Sequence, residues 1–272
     1  MTRNGKVALV TGASSGIGKA STAALRDAGF HVFGTSRRPS AQSGDAPAML
    51  SCDVTDDASV AECVRSVIGQ AGRLDVLVNN AGHGLTAGAE ESTLNQTKAL
   101  FDVNFFGVVR MTNAALPFMR EQNGGRIINV SSVLGFIPSP YSALYSATKH
   151  ALEGYSESLD HELRPFGIRV SLLEPAYTRT SFEENTSRPD RPLQVYEAAR
   201  QNSLAKTREI MKTAEGPGEV GRMVVEAATA AVPRRRYACG KEARKISLLR
   251  RFVPPSLFDR SLRKQFGLPD IP

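Results

Sequence analysis

Tyr145 and Lys149 stand four residues apart, a spacing that places two side chains one above the other on a single helical face. A free phenol titrates near pH ~10 and is a poor base at neutrality. An ammonium held beside it stabilises phenolate and lowers that pKa, so the pair can form an acid/base tuned toward the working pH. Ser132 lies thirteen positions before the tyrosine, just after the apolar run Arg126-Ile-Ile-Asn-Val130. Its hydroxyl could hold a substrate oxygen beside the phenol. A Tyr-x-x-x-Lys pair alone is commonplace in solvated helices, so its meaning depends on the elements that position it.

Those elements alternate. Lys6-Val-Ala-Leu-Val-Thr11 has strand character and runs into Gly12-Ala-Ser-Ser-Gly16-Ile-Gly18, followed by a helical pattern to Ala28 closed by Gly29. In a strand–turn–helix context such glycines let the backbone approach a pyrophosphate, and the helix N-terminus offers free N–H groups to it. The spacing is Gly-x-x-x-Gly-x-Gly. Phe30–Thr35 is a second strand, followed by Ser36-Arg37-Arg38. An acidic residue at this place binds a ribose 2′-hydroxyl, whereas Arg accommodates a 2′-phosphate. Ser36, Arg37 and Arg38 therefore predict NADP(H) in preference to NAD(H), with Arg37 as the phosphate partner. A polar loop over 40–47 precedes a third strand, Ala48–Cys52, ending in Asp53-Val54. A helix from Asp56 to Ala71 and a strand over Leu74–Val78 lead to Asn79-Asn-Ala-Gly82. A long helix over Thr93–Met119 contains Asn104, and strands follow at Arg126–Ser131 and Ile168–Leu173. Pro138-Ser-Pro140 separates the fifth strand from the helix that carries Tyr145 and Lys149, which ends near Pro165.

This rhythm predicts an α/β fold, an open parallel sheet with helices on both faces. Ligands on such sheets bind beyond the carboxyl ends of the strands, where Gly12, Asn79, Ser132 and Pro175 all fall. The chain has 272 residues, 41% of them hydrophobic, which suits one large domain. No apolar run approaches the ~18 residues of a membrane span, and the first strand begins too early to leave room for a signal peptide. Cys52, Cys63 and Cys239 show no metal spacing and read as reduced thiols of a cytoplasmic protein. No metal site is expected.

The net charge is +7, yet residues 234–272 hold eleven Lys/Arg against three Asp/Glu, which leaves the rest of the chain near neutrality. A nucleic-acid-binding core would carry its charge on a domain face, so nucleic acid is not expected as a partner.

The combination of motifs resembles the short-chain dehydrogenase/reductase family over about residues 5–240. Thr11–Gly18 is similar to the family's cofactor turn, Asn79–Gly82 to its sheet-stabilising segment, and Asn104, Ser132, Tyr145 and Lys149 to its catalytic tetrad. The resemblance implies a doubly wound Rossmann fold with a seven-stranded parallel sheet, and contacts to NADP(H) from Gly12, Ser14, Ser15, Gly16, Ile17, Gly18, Asp53, Val54, Asn80, Ala81 and Gly82. It further implies cofactor contacts from Tyr145, Lys149, Pro175, Ala176, Thr178 and Thr180. Tyr145 would move the proton, Lys149 would bind the nicotinamide ribose and lower the tyrosine pKa, Ser132 would hold the reacting oxygen, and Asn104 would hold a relay water. Ala176 stands where the family usually has glycine, and a slightly altered nicotinamide pocket is expected. Homodimers or homotetramers are implied as well.

By the same resemblance residues 176–215 form a substrate lid, with Phe182 and a helical Leu193–Met211. Val133–Ile137 and Tyr141 would supply the opposite wall of an apolar cleft, which favours a lipophilic ketone or aldehyde and its alcohol. Ala151–Leu159 looks like the steroid and retinoid dehydrogenase branch. A 3-oxoacyl-thioester reductase and a non-catalytic dinucleotide-binding regulator are the alternatives. Arg234–Cys239 fits an edge strand. Residues 241–272 read as a basic tail of two amphipathic helices, the second ending at Gly267. It could pack near the substrate entrance, rest on an anionic membrane surface, or meet another subunit.

Overall fold

β1 (Val7–Val10) alternates its side chains between two cores: Val7 and Leu9 join one buried cluster, Ala8 and Val10 the other. Such two-sided burial belongs to a parallel sheet covered by helices on both faces. The structure, a computed structural model, describes residues 5–38 and 48–268; the expected polar loop at 40–47 lies outside them.

The sheet contains β1, β2 (His31–Ser36), β3 (Ala48–Ser51), β4 (Val76–Asn79), β5 (Gly125–Val130), β6 (Ile168–Pro175) and β7 (Arg236–Cys239). Their order is β3-β2-β1-β4-β5-β6-β7, and every pairing is parallel. The order reverses between β1 and β4, which opens a crevice beyond their carboxyl ends. This is the expected seven-stranded Rossmann architecture.

One face is covered by α2 (Asp57–Ala71), α4 (Gly107–Glu121) and α5 (Ala143–Leu163), through Val60, Val64, Met111 and Leu159. α1 (Gly16–Asp27) and α7 (Gly218–Thr229) cover the other through Leu25, Val220, Met223 and Val224. The helix expected over Thr93–Met119 is α3 (Leu94–Phe101) joined to α4 by one π-helical turn, Asp102–Phe106. α6 (Gln194–Thr213) fills the expected Leu193–Met211 region. The chain ends in α8 (Lys241–Phe252) and α9 (Pro255–Gln265), the expected amphipathic pair.

α5 is the element that carries Tyr145 and Lys149, and its far end is fastened by a buried acid. Asp160 accepts from Arg164, Arg169 and the backbone N–H of Val170 at the start of β6. Burial raises the Asp160 pKa, but these donors outweigh it and bring the carboxyl down to about 2.

Candidate active site

The turn after β1 is shaped by glycine where backbone demands it. Gly12 and Gly16 adopt φ of +64° and +53°, which other residues reach only with strain. A Cβ on Gly18 would lie 2.6 Å from Asn80 Nδ2 and nearer still to the Gly12 carbonyl oxygen. Asn80 Nδ2 donates to the carbonyls of Thr11 (2.9 Å) and Gly12 (3.1 Å), and the Thr11 hydroxyl accepts from the N–H groups of Asn80 and Ala81. The Asn80–Gly82 segment thus braces the glycine turn at the N-terminus of α1, where Ser14 and Ser15 are exposed and Ile17 packs against the core. Asn79 points into the sheet instead, donating to Asn129, which donates to Ser156 of α5.

β2 ends at Ser36, with Arg37 and Arg38 exposed beyond it. The Asp53 carboxyl is held below its usual range by Thr55, through its N–H and hydroxyl, and by the charges of Arg37 and Arg110. Burial lowers the His83 pKa, and Arg37 lowers it further. The Arg37 charge is therefore felt at the ends of both β3 and β4, across the crevice mouth. Val54, beside Asp53, packs against Gly107 of α4.

At the other side of the crevice, Ser132 caps a short 3₁₀ turn, Val133–Gly135, and accepts from the Leu134 N–H at 3.1 Å. Its hydroxyl acts on the Tyr145 phenol in the direction of a lower pKa. Lys149 is buried; its Nζ donates to the Val130 carbonyl at 2.8 Å and lies 5.7 Å from the Tyr145 ring centroid. Ser132, Tyr145 and Lys149 converge at the carboxyl end of β5. The charge states differ from the sequence expectation. Burial raises the Tyr145 pKa, and the Ser132 hydroxyl only partly opposes this. Burial brings Lys149 down to about 8, with the Glu153 carboxylate acting the other way. The ammonium is turned toward a backbone carbonyl, and the dominant influence on the phenol is desolvation.

Asn104 sits on the π-helical turn, a distortion that recurs at functional sites. Its Oδ1 accepts from the His83 N–H (3.0 Å), and its Nδ2 donates to the His83 carbonyl (2.9 Å) and to Thr148. The side chain thus clamps the segment after Gly82 to α5.

After β6, Pro175 is buried and Ala176 takes no left-handed conformation, which explains why alanine serves here. Thr178 donates to the Ala176 carbonyl, and Thr180 lies against Gly16, where a Cβ would come within 3.2 Å of its Cβ. The segment then crosses the site: Phe182 lies 5.9 Å from the Tyr145 ring in an edge-on packing, and Ser187 pairs with Gly84 and Leu85. Leu85 and Leu144, absent from the sequence reading of the cleft, cluster with Tyr145. Val133 and Ile137, expected to face substrate, are buried with Ala243, and Leu134, Phe136, Ile246 and Phe258 pack around them. The expected wall therefore backs onto α8 and α9, and Tyr141 pairs with Tyr196 of α6.

A buried acidic group below Lys149 was not read from the sequence. Glu153, one turn along α5, and Glu174 of β6 are buried, and Arg236 of β7 forms ion pairs with both and with Glu157. Burial raises the Glu153 pKa to about 7, reinforced by the Glu174 carboxylate and opposed by Ser131 and Arg236.

Known proteins resemble this chain in sequence and fold. The short chain dehydrogenase family model matches residues 6–191. A 3-ketodihydrosphingosine reductase of Bacteroides thetaiotaomicron is 46% identical over 180 residues, 66% of this chain and 66% of that protein. The structure of a short-chain dehydrogenase from Streptomyces avermitilis covers 97% of both chains with a TM-score of 0.80 and 32% identity. A metagenomic short-chain oxidoreductase in complex with NADP covers 87% of this chain and 97% of its own, with a TM-score of 0.67 and 27% identity. The chain belongs to the short-chain dehydrogenase family. It is a nicotinamide-dinucleotide-dependent oxidoreductase acting between CH–OH and C=O groups.

Proposed function

We propose that this enzyme uses NADP(H) to interconvert a lipophilic ketone or aldehyde with its alcohol, with Tyr145 as proton donor and acceptor. The observation that carries the reading is the meeting of Ser132, Tyr145 and Lys149 under an apolar cover of Leu85, Leu144 and Phe182. The glycine turn fits a dinucleotide, since positive φ at Gly12 and Gly16 folds the backbone tightly at the N-terminus of α1, whose free N–H groups suit its phosphates. Gly12, Ser14, Ser15, Gly16, Ile17 and Gly18 would hold the phosphates, Asp53 and Val54 the adenine, and Asn80–Gly82 the adenosine ribose. Tyr145, Lys149, Pro175, Ala176, Thr178 and Thr180 would frame the nicotinamide half. Ser36 leaves the end of β2 without a carboxylate, and Arg37 supplies the charge a 2′-phosphate attracts.

The bound nicotinamide supplies or accepts the hydride. Ser132 Oγ orients the substrate oxygen beside the Tyr145 hydroxyl. In reduction Tyr145 gives its proton to that oxygen; in oxidation the phenolate takes it back. Lys149 is charged near neutrality and stabilises the phenolate formed after proton donation. The residues after β6 act as a lid that keeps water from the reacting atoms.

The 46%-identical relative is named for a ketone on a sphingoid lipid, which supports a lipophilic substrate. The resemblance to the steroid and retinoid branch favours the same class. A cytoplasmic homodimer or homotetramer is part of this reading, and the buried cysteines suit a reducing compartment. A panel of long-chain 3-keto amines, steroids, retinal and 3-oxoacyl thioesters, followed by NADPH oxidation, tests it. Turnover confined to lipophilic ketones or aldehydes is expected. Turnover of thioesters alone would replace the substrate assignment.

A further inference from the structure

α8 and α9 are two-faced. Their inner face is docked: Ala243, Ile246 and Phe258 pack on Val133 and Ile137, and the Phe266 carbonyl accepts from Asn202 of α6. The outer face stays open. Among the described residues ten large apolar side chains are strongly exposed, and four of them (Leu248, Leu249, Phe252 and Leu257) fall in this short segment, with Phe252 71% exposed. Isolated exposed hydrophobics need no explanation, whereas a cluster marks a contact surface.

The charge around the cluster says what the contact is. Residues 241–265 carry eight Lys/Arg against two Asp/Glu. Lys241, Arg244 and Lys245 line a shallow groove of about 580 Å³ together with Leu248, Leu249 and Phe252. The acids nearby neutralise little of this: Lys245–Glu242 and Arg244–Glu219 are 3.8 Å and 3.7 Å apart, with both basic side chains exposed. A cationic helix face with leucine and phenylalanine among the charges matches the headgroup and acyl layers of an anionic bilayer. A second copy of the chain would bring the same positive face against itself in a two-fold contact, which the charge opposes. Nucleic acid would leave the apolar side chains uncovered.

We propose that α8 and α9 dock the enzyme peripherally on anionic lipid bilayers, with Leu248, Leu249, Phe252 and Leu257 entering the interface and the surrounding lysines and arginines pairing with headgroups. No described helix is long and apolar enough to cross a membrane, so the contact is superficial. Because the inner face of the same helices packs on the segment that follows Ser132, docking brings the substrate side of the molecule to the lipid surface. The docking goes beyond the proposed reaction and stands whichever carbonyl compound is reduced.

The test is co-sedimentation of the full chain with vesicles of phosphatidylcholine alone and of phosphatidylcholine containing about one third phosphatidylglycerol, at low and high salt. Binding to the mixed vesicles should exceed binding to phosphatidylcholine and fall with salt. The Leu248→Asp/Phe252→Asp variant should bind about tenfold more weakly or less still, as should Lys241→Glu/Lys245→Glu, with NADPH binding unchanged as evidence of an intact fold. Equal binding to both vesicle types, or unimpaired binding by both variants, would overturn the proposal. So would a wild-type oligomer in analytical ultracentrifugation that Leu248→Asp/Phe252→Asp dissociates, since a second copy would then cover this face.

Discussion

The two sides of the crevice are built from opposite materials. On the β1–β4 side, the turn proposed to hold the dinucleotide is built by residues that add no side chain, Gly12, Gly16 and Gly18, braced by Asn80. On the β5–β6 side, the groups are side chains with titratable ends: the half-buried Tyr145 and the buried Lys149, Glu153 and Glu174. The first side should fail when atoms are added, and the second when atoms or charges are removed.

The largest expected effect is on the scaffold of the second side. Asp160→Asn leaves Arg169 partly buried without its acid, and should cost about 3 kcal/mol of unfolding free energy in denaturant titration. Because the Asp160 pKa is about 2 when folded against an ordinary 3.8, its contribution is complete above pH 3.8 and fades as pH falls toward 2. The wild type should therefore lose stability over that window while the variant changes less; parallel curves would remove Asp160 from the account.

Next comes the first side. Gly18→Ala forces a Cβ against Gly12 and Asn80, and should weaken NADPH binding about tenfold to 100-fold while the protein still folds, the scale of a typical overpacking cost. Fluorescence titration measures it, and unchanged affinity would mean that the turn is no cradle. Arg37→Ala should weaken NADPH about tenfold and NADH little, as loss of an exposed charge-assisted contact would. Equal weakening of both would place the 2′-phosphate elsewhere.

The smallest effect is electrostatic. Glu153→Gln removes the carboxylate that raises the Lys149 pKa, so the lysine-linked inflection of the kcat/KM profile should move to lower pH by up to about one unit. Glu174, Glu157 and Arg236 remain in place around it. A profile that does not move would show that the two groups are uncoupled.

The first side was the more legible from sequence because its instructions are local. Gly-x-x-x-Gly-x-Gly after an apolar run dictates a turn with positive φ, whatever the rest of the chain does. Ser132, Tyr145 and Lys149 were legible for a related reason, since strand end and helix spacing aim them at one point.

What escaped was non-local. Arg236 counts in sequence as part of a basic run, but the fold places β7 beside β6 and spends its charge on Glu174, 62 residues away, and on two glutamates of α5. The π-helical turn at Asn104 follows no breaker, and its geometry is set by the contact with His83. α7 went unread because glycines at 216, 218 and 221 weaken its helical signal. Gly221 is required by packing, since a Cβ there would lie 2.9 Å from the Ala20 carbonyl oxygen in α1. The cleft wall was misplaced because Val133–Ile137 is apolar on more than one side, and α8 and α9 claim the side that sequence assigned to substrate.

The most direct measurement follows the nicotinamide absorbance band with NADPH and a long-chain 3-keto amine, comparing wild type with Tyr145→Phe and measuring NADPH affinity of both by fluorescence. The wild type should turn over, the variant should lose about 100-fold or more of that activity, and the two should bind NADPH with closely similar affinities. A Tyr145→Phe enzyme that turns over at the wild-type rate would remove the phenol from the proton transfer and contradict the proposed chemistry.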